Sequence, residues 1–176
     1  ATALARSAGV EPADIREAIR NFKLDAHRIE LVAEANGVRW IDDSKATNPH
    51  AADASLASFE SVVWIVGGLL KGVDISELVK KYAGKLSAAI VIGKDRAAVL
   101  DALAQNAAQV PVIEIQAEAG QAVMDEAVAA AAKYTKDQDV VLLAPAAASM
   151  DQFKDYADRG SSFAKAARAL IGDSRG

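Results

Sequence analysis

The segment with the densest set of polar side chains, residues 42–49, could bind an anion and a hydroxyl group together. It reads Asp-Asp-Ser-Lys-Ala-Thr-Asn-Pro and lies between an apolar run and a predicted helix. Thr47 or Asn48 could cap that helix, whose free N–H groups favour a negative charge. Asp43 could accept a hydrogen bond from a ribose hydroxyl, and Lys45 could face a phosphate or carboxylate. The same pattern also fits a capped turn with a solvated lysine.

Three further loops contain small or polar residues that could lie near a ligand. Residues 67–72 read Gly-Gly-Leu-Leu-Lys-Gly, which lacks the spacing of a Walker phosphate loop, and Lys71 also fits a solvated turn. Residues 93–96 are glycine-containing and polar. Residues 144–152 are rich in alanine, which would let a ligand approach the backbone, and Ser149 offers a hydroxyl and an N–H group at a predicted helix start. Tight packing of strand against helix would explain the same small residues.

His27 and Arg28 directly precede the first predicted strand. A lone histidine is usually structural, but beside an arginine at a joint between domains it could meet a nucleotide held by the neighbouring domain. His50 has no metal-ligand spacing with His27, and the chain has no cysteine. The residues therefore predict neither a zinc site nor a Ser-His-Asp triad.

The elements around these loops alternate between strands and helices after an all-helical start. Asn36-Gly37 between two strand-like runs predicts a β-hairpin. Solid apolar strands alternating with helices of 10–15 residues are typical of a parallel sheet covered on both faces. Strands are predicted at residues 29–35, 38–41, 61–66, 88–92, 110–115 and 139–143, and helices within 1–22 and at about 48–59, 75–82, 96–107, 120–134 and 161–170.

This order predicts an α/β fold, Rossmann-like and doubly wound, with a mostly parallel sheet, an N-terminal antiparallel hairpin and a short helical segment before it. In open sheets of this kind, ligands bind at the carboxyl ends of the strands. The four polar loops all follow strands, so we expect them to share one edge of the sheet.

Composition excludes several classes of protein. The chain has 176 residues, a net charge of −4 and a pI near 5.2, without a basic stripe, which argues against nucleic acid as a partner. No apolar run approaches the roughly 20 residues that cross a bilayer. With no signal peptide and no cysteine, the expected location is the cytoplasm. Because the chain starts with alanine, we expect it to be part of a longer protein.

The order of several short strings resembles the Mur ligase family, and within it the ligases that add D-glutamate to UDP-N-acetylmuramoyl-L-alanine. The most specific string is Asp-Ser-Lys-Ala-Thr-Asn at residues 43–48, which differs from the corresponding strings of the sister ligases. The other matching strings are at residues 26–30, 36–38, 67–71, 142–153, 159–160 and 163–164.

This resemblance implies an ATP-dependent acid–D-amino-acid ligase that acts through an acyl phosphate in peptidoglycan precursor synthesis, and so in cell wall formation and cell division. Residues 1–23 would be the tail of the central ATP-binding domain, and 24–176 the C-terminal amino-acid-binding domain, with a hinge near residues 23–25. The sequence has no P-loop. The chain alone is therefore expected to be inactive, with ATP and Mg²⁺ used by the full-length enzyme and neither bound tightly here.

The resemblance also assigns site residues. The partners implied are D-glutamate, ATP, UDP-N-acetylmuramoyl-L-alanine and the missing N-terminal and central domains. One D-glutamate carboxylate would be held by Thr47 and Lys71, and the other by Ser149 with the backbone around Met150 and Tyr156. The nucleotide side would be formed by His27, Arg28, Asp43 and Lys45.

Two alternatives remain open at this point. The chain could be a stand-alone Rossmann-like nucleotide-binding or regulatory module, although no self-contained nucleotide loop is present. It could also come from a sister ligase for another amino acid, against which the Ser-Lys-Ala-Thr string at residues 44–47 argues.

Overall fold

The computed structural model describes residues 2–21 and 25–173, and it confirms the α/β order predicted from the sequence. The strands are β1 (Glu30–Ala35), β2 (Val38–Asp42), β3 (Val62–Gly67), β4 (Leu86–Ile92), β5 (Val112–Glu114) and β6 (Val140–Leu143). The helices are α1 (Thr2–Ser7), α2 (Pro12–Asn21), α3 (Pro49–Ala57), α4 (Ser76–Tyr82), α5 (Ala97–Asn106), α6 (Gln121–Ala132) and α7 (Tyr156–Asp173).

The strands form one six-stranded sheet in the order β1-β2-β6-β3-β4-β5. The β1–β2 pair is antiparallel and every other pair is parallel. The hairpin turn is the predicted Asn36-Gly37, with φ of 52° and 75°. Two successive positive φ angles match the turn type that suits the twist of a two-residue hairpin.

Each face of the sheet carries its own apolar core, as expected for a doubly wound fold. Side chains alternate along β3, so Trp64 packs on one face with Leu56 and Leu103, whereas Ile65 packs on the other with Phe163. The first face is covered by α3, α4 and α5, and the second by α6 and α7. Every residue of β3 is buried, which explains its unbroken apolar sequence.

One predicted boundary is wrong by five residues. The helix predicted from residue 161 begins at Tyr156. The apolar pattern does not reveal the first turns of α7, because Arg159 and Gly160 lie on the buried side of the helix. Helical periodicity would require apolar residues there. A charged residue directed inward hides a helix from hydrophobic periodicity.

The two N-terminal helices enclose an apolar cleft, which is lined by Ala5 of α1, Ile15 and Ala18 of α2, and Val10 of the connection between them. Leu4 is 75% exposed and Ile19 is 62% exposed, so apolar surface remains open on this pair. Of the hinge predicted near residues 23–25, residues 23 and 24 lie outside the described residues. Among the described helices, none is long and apolar enough to span a membrane.

Candidate functional site

The four polar loops lie at the carboxyl edge of the parallel strands, as predicted. β6 is inserted between β2 and β3, so the loop of residues 144–152 lies between the loops of residues 42–48 and 67–74. The loop of residues 93–96 follows β4, next to β3. This strand order places Thr47, Lys71 and Ser149 on three loops that neighbour one another.

The loops that carry Lys71 and Ser149 are joined by backbone hydrogen bonds. Leu69 N donates to Ala148 O at 2.8 Å, and Ala148 N donates back to Leu69 O at 3.1 Å. Gly68 lies in this joint with φ of 128°, and a Cβ there would lie 2.4 Å from the Ala148 carbonyl oxygen. Glycine is therefore required at residue 68, because a side chain would push the two loops apart.

Arg159 joins the loops that carry Ser149 and Thr47. The guanidinium is fully buried, donating from Nε to Ser44 Oγ at 2.9 Å, from Nη2 to Ser44 O at 2.9 Å and from both terminal nitrogens to Ala147 O at 3.1 Å. Burial lowers the pKa of Arg159 to about 10, opposed by the nearby Asp151 and Asp42 carboxylates. It remains a cation at neutral pH, so it is a charged clamp between two loops.

The loop of residues 93–96 is fastened to the same structure. Gly93 N donates to Gln152 Oε1 at 2.7 Å, and Lys94 N donates to Asp151 Oδ2 at 2.9 Å. All four loops are thus bonded into one unit.

The residues predicted to bind D-glutamate differ in exposure. Lys71 is exposed and has φ of 56°, in the left-handed region, and Thr47 is half-buried. Ser149 is buried, and Met150 is 64% exposed. The backbone carbonyl of Tyr156 accepts from Ser44 Oγ at 2.7 Å. The structure brings their loops together, and their contact with D-glutamate remains a prediction.

The prediction that Ser149 lies at a helix start is wrong. α7 begins seven residues later, at Tyr156. The Ser149 carbonyl accepts hydrogen bonds from Gln152 N at 3.2 Å and Phe153 N at 2.9 Å, which closes a tight turn. Asn48, rather than Thr47, caps α3, because its side chain accepts from Ala51 N at 2.9 Å.

Three of the four predicted nucleotide residues line one cavity. Arg28, Asp43 and Lys45 surround a space of about 250 Å³ together with residues of α3, including Ser55. Its size and mixed polarity fit part of a nucleotide rather than a whole one.

Asp43 is already engaged within this cavity. Its carboxylate accepts from Ser55 Oγ and from Ile29 N, the latter at 3.3 Å. Burial raises the pKa of Asp43, and these hydrogen bonds act in the opposite direction. Each carboxylate oxygen has two lone pairs, so a further donor such as a ribose hydroxyl can still be accepted.

The two cations at the cavity share one exposed partner. Lys45 Nζ lies 3.1 Å from Asp25 Oδ2, and Arg28 Nε lies 3.5 Å from the same oxygen. The pKa of the Asp25 carboxyl is lowered chiefly by its hydrogen bond from Lys45. Exposed ion pairs of this kind contribute little to stability, so both cations can be redirected toward a ligand at small cost.

Sequence reasoning missed two buried residues of the site, Asp42 and Arg159. Asp42 Oδ2 lies 2.7 Å from His27 Nδ1, so the predicted nucleotide histidine is held by an aspartate. The only signals were the paired acids at 42 and 43 and the Arg-Gly string at 159–160, and neither reveals burial.

His27, Glu30 and Asp42 are close enough to hold a metal ion. Their atoms are instead bonded to one another, since Glu30 Oε2 accepts from His27 N at 2.9 Å. This arrangement is a hydrogen-bonded support for His27, and it does not fit an Mg²⁺ site, which prefers several free oxygen ligands and water.

In a doubly wound α/β domain, the loops at the carboxyl edge of the sheet are where ligands usually bind, and here four such loops are joined. The family described as Mur ligase, glutamate ligase domain, matches residues 27–147, which is more than half of the chain, and the chain belongs to this family.

Curated relatives align with nearly the whole chain. A UDP-N-acetylmuramoylalanine–D-glutamate ligase from Leifsonia xyli is 55% identical over 98% of this chain and 33% of its own length. Ligases of the same name from Thermobifida fusca and Mycobacterium tuberculosis are 52% and 46% identical, over 98% and 97% of this chain and 37% and 40% of their own lengths. The chain thus spans between a third and two fifths of the length of these relatives.

Proposed function

We propose that this chain is the amino-acid-binding, carboxyl-terminal part of an ATP-dependent ligase that adds D-glutamate to UDP-N-acetylmuramoyl-L-alanine in the cytoplasm. The observation that carries the proposal is at the carboxyl edge of the sheet, where hydrogen bonds join the loops of Thr47, Lys71 and Ser149. The names and identities of the relatives support it.

In this proposal the chain holds two carboxylates of D-glutamate. Lys71 supplies the exposed positive charge for one, with Thr47 as a hydroxyl donor, and Ser149 supplies a hydroxyl for the other. A carboxylate near an ammonium group gains a charge-assisted hydrogen bond, which fixes position as well as affinity. The free amine is then directed toward the carbonyl that it attacks, so the contribution of these residues is orientation.

The nucleotide side works by charge and hydrogen bonding. Arg28 and Lys45 would face phosphate oxygens, Asp43 would accept from the ribose, and His27 would meet the nucleotide beside them. When ATP and Mg²⁺ are bound, they supply the phosphoryl group that activates the alanine carboxylate and the charge neutralisation that this transfer needs. We assign the Mg²⁺ ligands and the P-loop to the part of the protein outside this chain.

We further propose that residues 1–23 belong to the preceding, central domain and that 24–176 form the carboxyl-terminal domain. The support is the apolar cleft of α1 and α2 together with exposed Leu4 and Ile19. Apolar surface of this kind on a short helical pair is typical of a segment that packs against further protein.

Calorimetric titration of the chain with ATP, D-glutamate and L-glutamate tests the proposal that each site is formed partly by this chain and partly by the rest of the protein. We expect weak or undetectable heats for all three ligands. The chain offers only one side of each site, so the binding groups are not preorganised around the ligand. Submicromolar binding of ATP would contradict the proposal and favour a stand-alone nucleotide-binding module. Tight binding of L-glutamate would favour a ligase for another amino acid.

A further inference from the structure

A hydrogen bond 2.7 Å long joins His27 Nδ1 and Asp42 Oδ2. Asp42 is the last residue of β2 and its side chain is almost completely buried, whereas His27 is partly open to solvent. A buried carboxylate bonded to one nitrogen of a partly exposed imidazole is an arrangement that selects which ring nitrogen carries the proton. The other nitrogen, Nε2, has no hydrogen-bond partner within residues 2–21 and 25–173.

The surroundings of Asp42 identify it as the acceptor. Its second oxygen, Oδ1, accepts from the backbone N–H of Ser44 at 2.8 Å, and a backbone N–H can only donate. The buried Arg159 cation interacts favourably with the Asp42 carboxylate. Burial raises the pKa of Asp42, but the hydrogen bonds from His27 and Ser44 favour the ionised form. An ionised Asp42 leaves His27 Nδ1 as the donor.

The position of His27 is held from several sides. Its backbone has φ of 64°, in the left-handed region that residues with a side chain adopt uncommonly. Here His27 N donates to Glu30 Oε2 at 2.9 Å and His27 O accepts from Lys45 N at 3.2 Å. The Tyr156 ring lies edge-on to the imidazole, with the centroids 6.3 Å apart.

Gly160 of α7 shows how closely the pair is packed. A Cβ at this residue would lie 2.3 Å from His27 Nδ1 and 2.6 Å from Asp42 Oδ2. These distances are shorter than any real contact, so a side chain at residue 160 would have to displace the pair. The helix therefore has a glycine where the pair needs space.

We propose that Asp42 is a positioning residue that holds the His27 imidazole in its Nδ1–H tautomer, so that Nε2 is presented as a hydrogen-bond acceptor to a donor group of the bound nucleotide. The assignment of the Nδ1–H tautomer to His27 follows from the contacts of Asp42 and His27 described above. The nucleotide part rests on the proposed function, which places His27 beside ATP. A hydroxyl or amino group of the nucleoside is the class of donor that an unprotonated imidazole nitrogen accepts.

Nitrogen-15 NMR on the 176-residue chain tests the tautomer directly, at a pH where the imidazoles are neutral. The chain has two histidines, so exposed His50 is an internal reference. We expect His27 to show the pattern of a single Nδ1–H tautomer and Asp42→Asn to abolish it, since an amide can offer either an acceptor or a donor. A wild-type His27 in the Nε2–H tautomer, or in the same mixture of tautomers as His50, would overturn the proposal. An unchanged His27 pattern in Asp42→Asn would also overturn it.

Two further variants separate positioning from loss of structure. Asp139→Asn is the matched control, because Asp139 is also buried but far from His27. It directly precedes β6, whereas Asp42 lies beside the last residue of that strand, and it is bonded to Ser61 and Lys136. It should leave the His27 pattern unchanged. If Asp42→Asn fails to fold, Gly160→Ala replaces it, and the added methyl group should shift His27 from a single tautomer to a mixture. A single Nδ1–H tautomer in a folded Gly160→Ala chain would contradict the proposal.

Kinetics on the full-length enzyme test the nucleotide part. Asp42→Asn should raise the KM for ATP about five- to tenfold, the value of one hydrogen bond, with the KM for D-glutamate unchanged. In a His27→Ala background the same change should have no further effect, because Asp42 acts through His27. Additive effects would overturn a positioning role. If the wild-type His27 has a single Nδ1–H tautomer but Asp42→Asn leaves the KM for ATP unchanged, His27 does not contact the nucleotide. That result would leave the proposed D-glutamate residues unaffected.

Discussion

Replacement of Lys71 by alanine in the full-length protein should raise the KM for D-glutamate about 10- to 100-fold, the value of a charge-assisted hydrogen bond to a carboxylate. Lys71 is exposed, on a loop bonded to the loop of Ser149. Its loss removes a positive charge without leaving a buried group unpaired. The measurement is the initial rate of phosphate release as D-glutamate is varied at saturating ATP.

The matched control is Lys94→Ala. Lys94 is also exposed at this edge, and it reaches Asp151 through its backbone N–H, which the substitution keeps. It should leave the KM for D-glutamate within about twofold, the range of a surface substitution. An unchanged KM in Lys71→Ala, or an equal rise in both variants, would contradict the role of Lys71.

Arg159→Ala should lower the free energy of unfolding by about 3–5 kcal/mol, because it removes a buried cation and leaves its partners unpaired. The guanidinium contributes hydrogen bonds to Ser44 and to the Ala147 carbonyl, which belong to different loops. Arg159→Lys should recover only part of this loss, since an ammonium group cannot reproduce the planar fork. Urea denaturation of the 176-residue chain measures both.

Arg168→Ala is the control on the same helix. Arg168 is exposed and donates one hydrogen bond, from Nε to Val32 O at 3.1 Å, so its loss should cost about 1 kcal/mol. Equal destabilisation by Arg159→Ala and Arg168→Ala would show that the buried clamp has no special role. In the full-length enzyme Arg159→Lys should raise the KM for D-glutamate, because the clamp sets the distance between the loops of Thr47 and Ser149.

Local patterns predicted most of the elements for clear reasons. Asn-Gly at residues 36–37 has a strong turn preference, and the apolar run of β3 has no other stable location than the middle of a covered sheet. Asn48 and Pro49 form the start of α3 as their capping preferences indicate. These features depend on a few neighbouring residues, so the sequence alone was sufficient.

The features that were missed depend on partners far along the chain. Arg159 bonds to Ser44, 115 residues earlier, and Asp42 bonds to His27 across the start of the hairpin. The insertion of β6 between β2 and β3 brings residues 144–152 into the centre of the site, and no local pattern specifies that order. The roles of the site residues toward D-glutamate and ATP remain predictions.

The addition of glutamate by the full-length protein tests the proposed function most directly. UDP-N-acetylmuramoyl-L-alanine, ATP and Mg²⁺ would be supplied with D-glutamate or L-glutamate, and the peptide product and released phosphate would be measured together. We predict product and phosphate in equal amounts with D-glutamate and neither above background with L-glutamate. Product formation with L-glutamate at a similar rate, or none with D-glutamate, would contradict the proposed function.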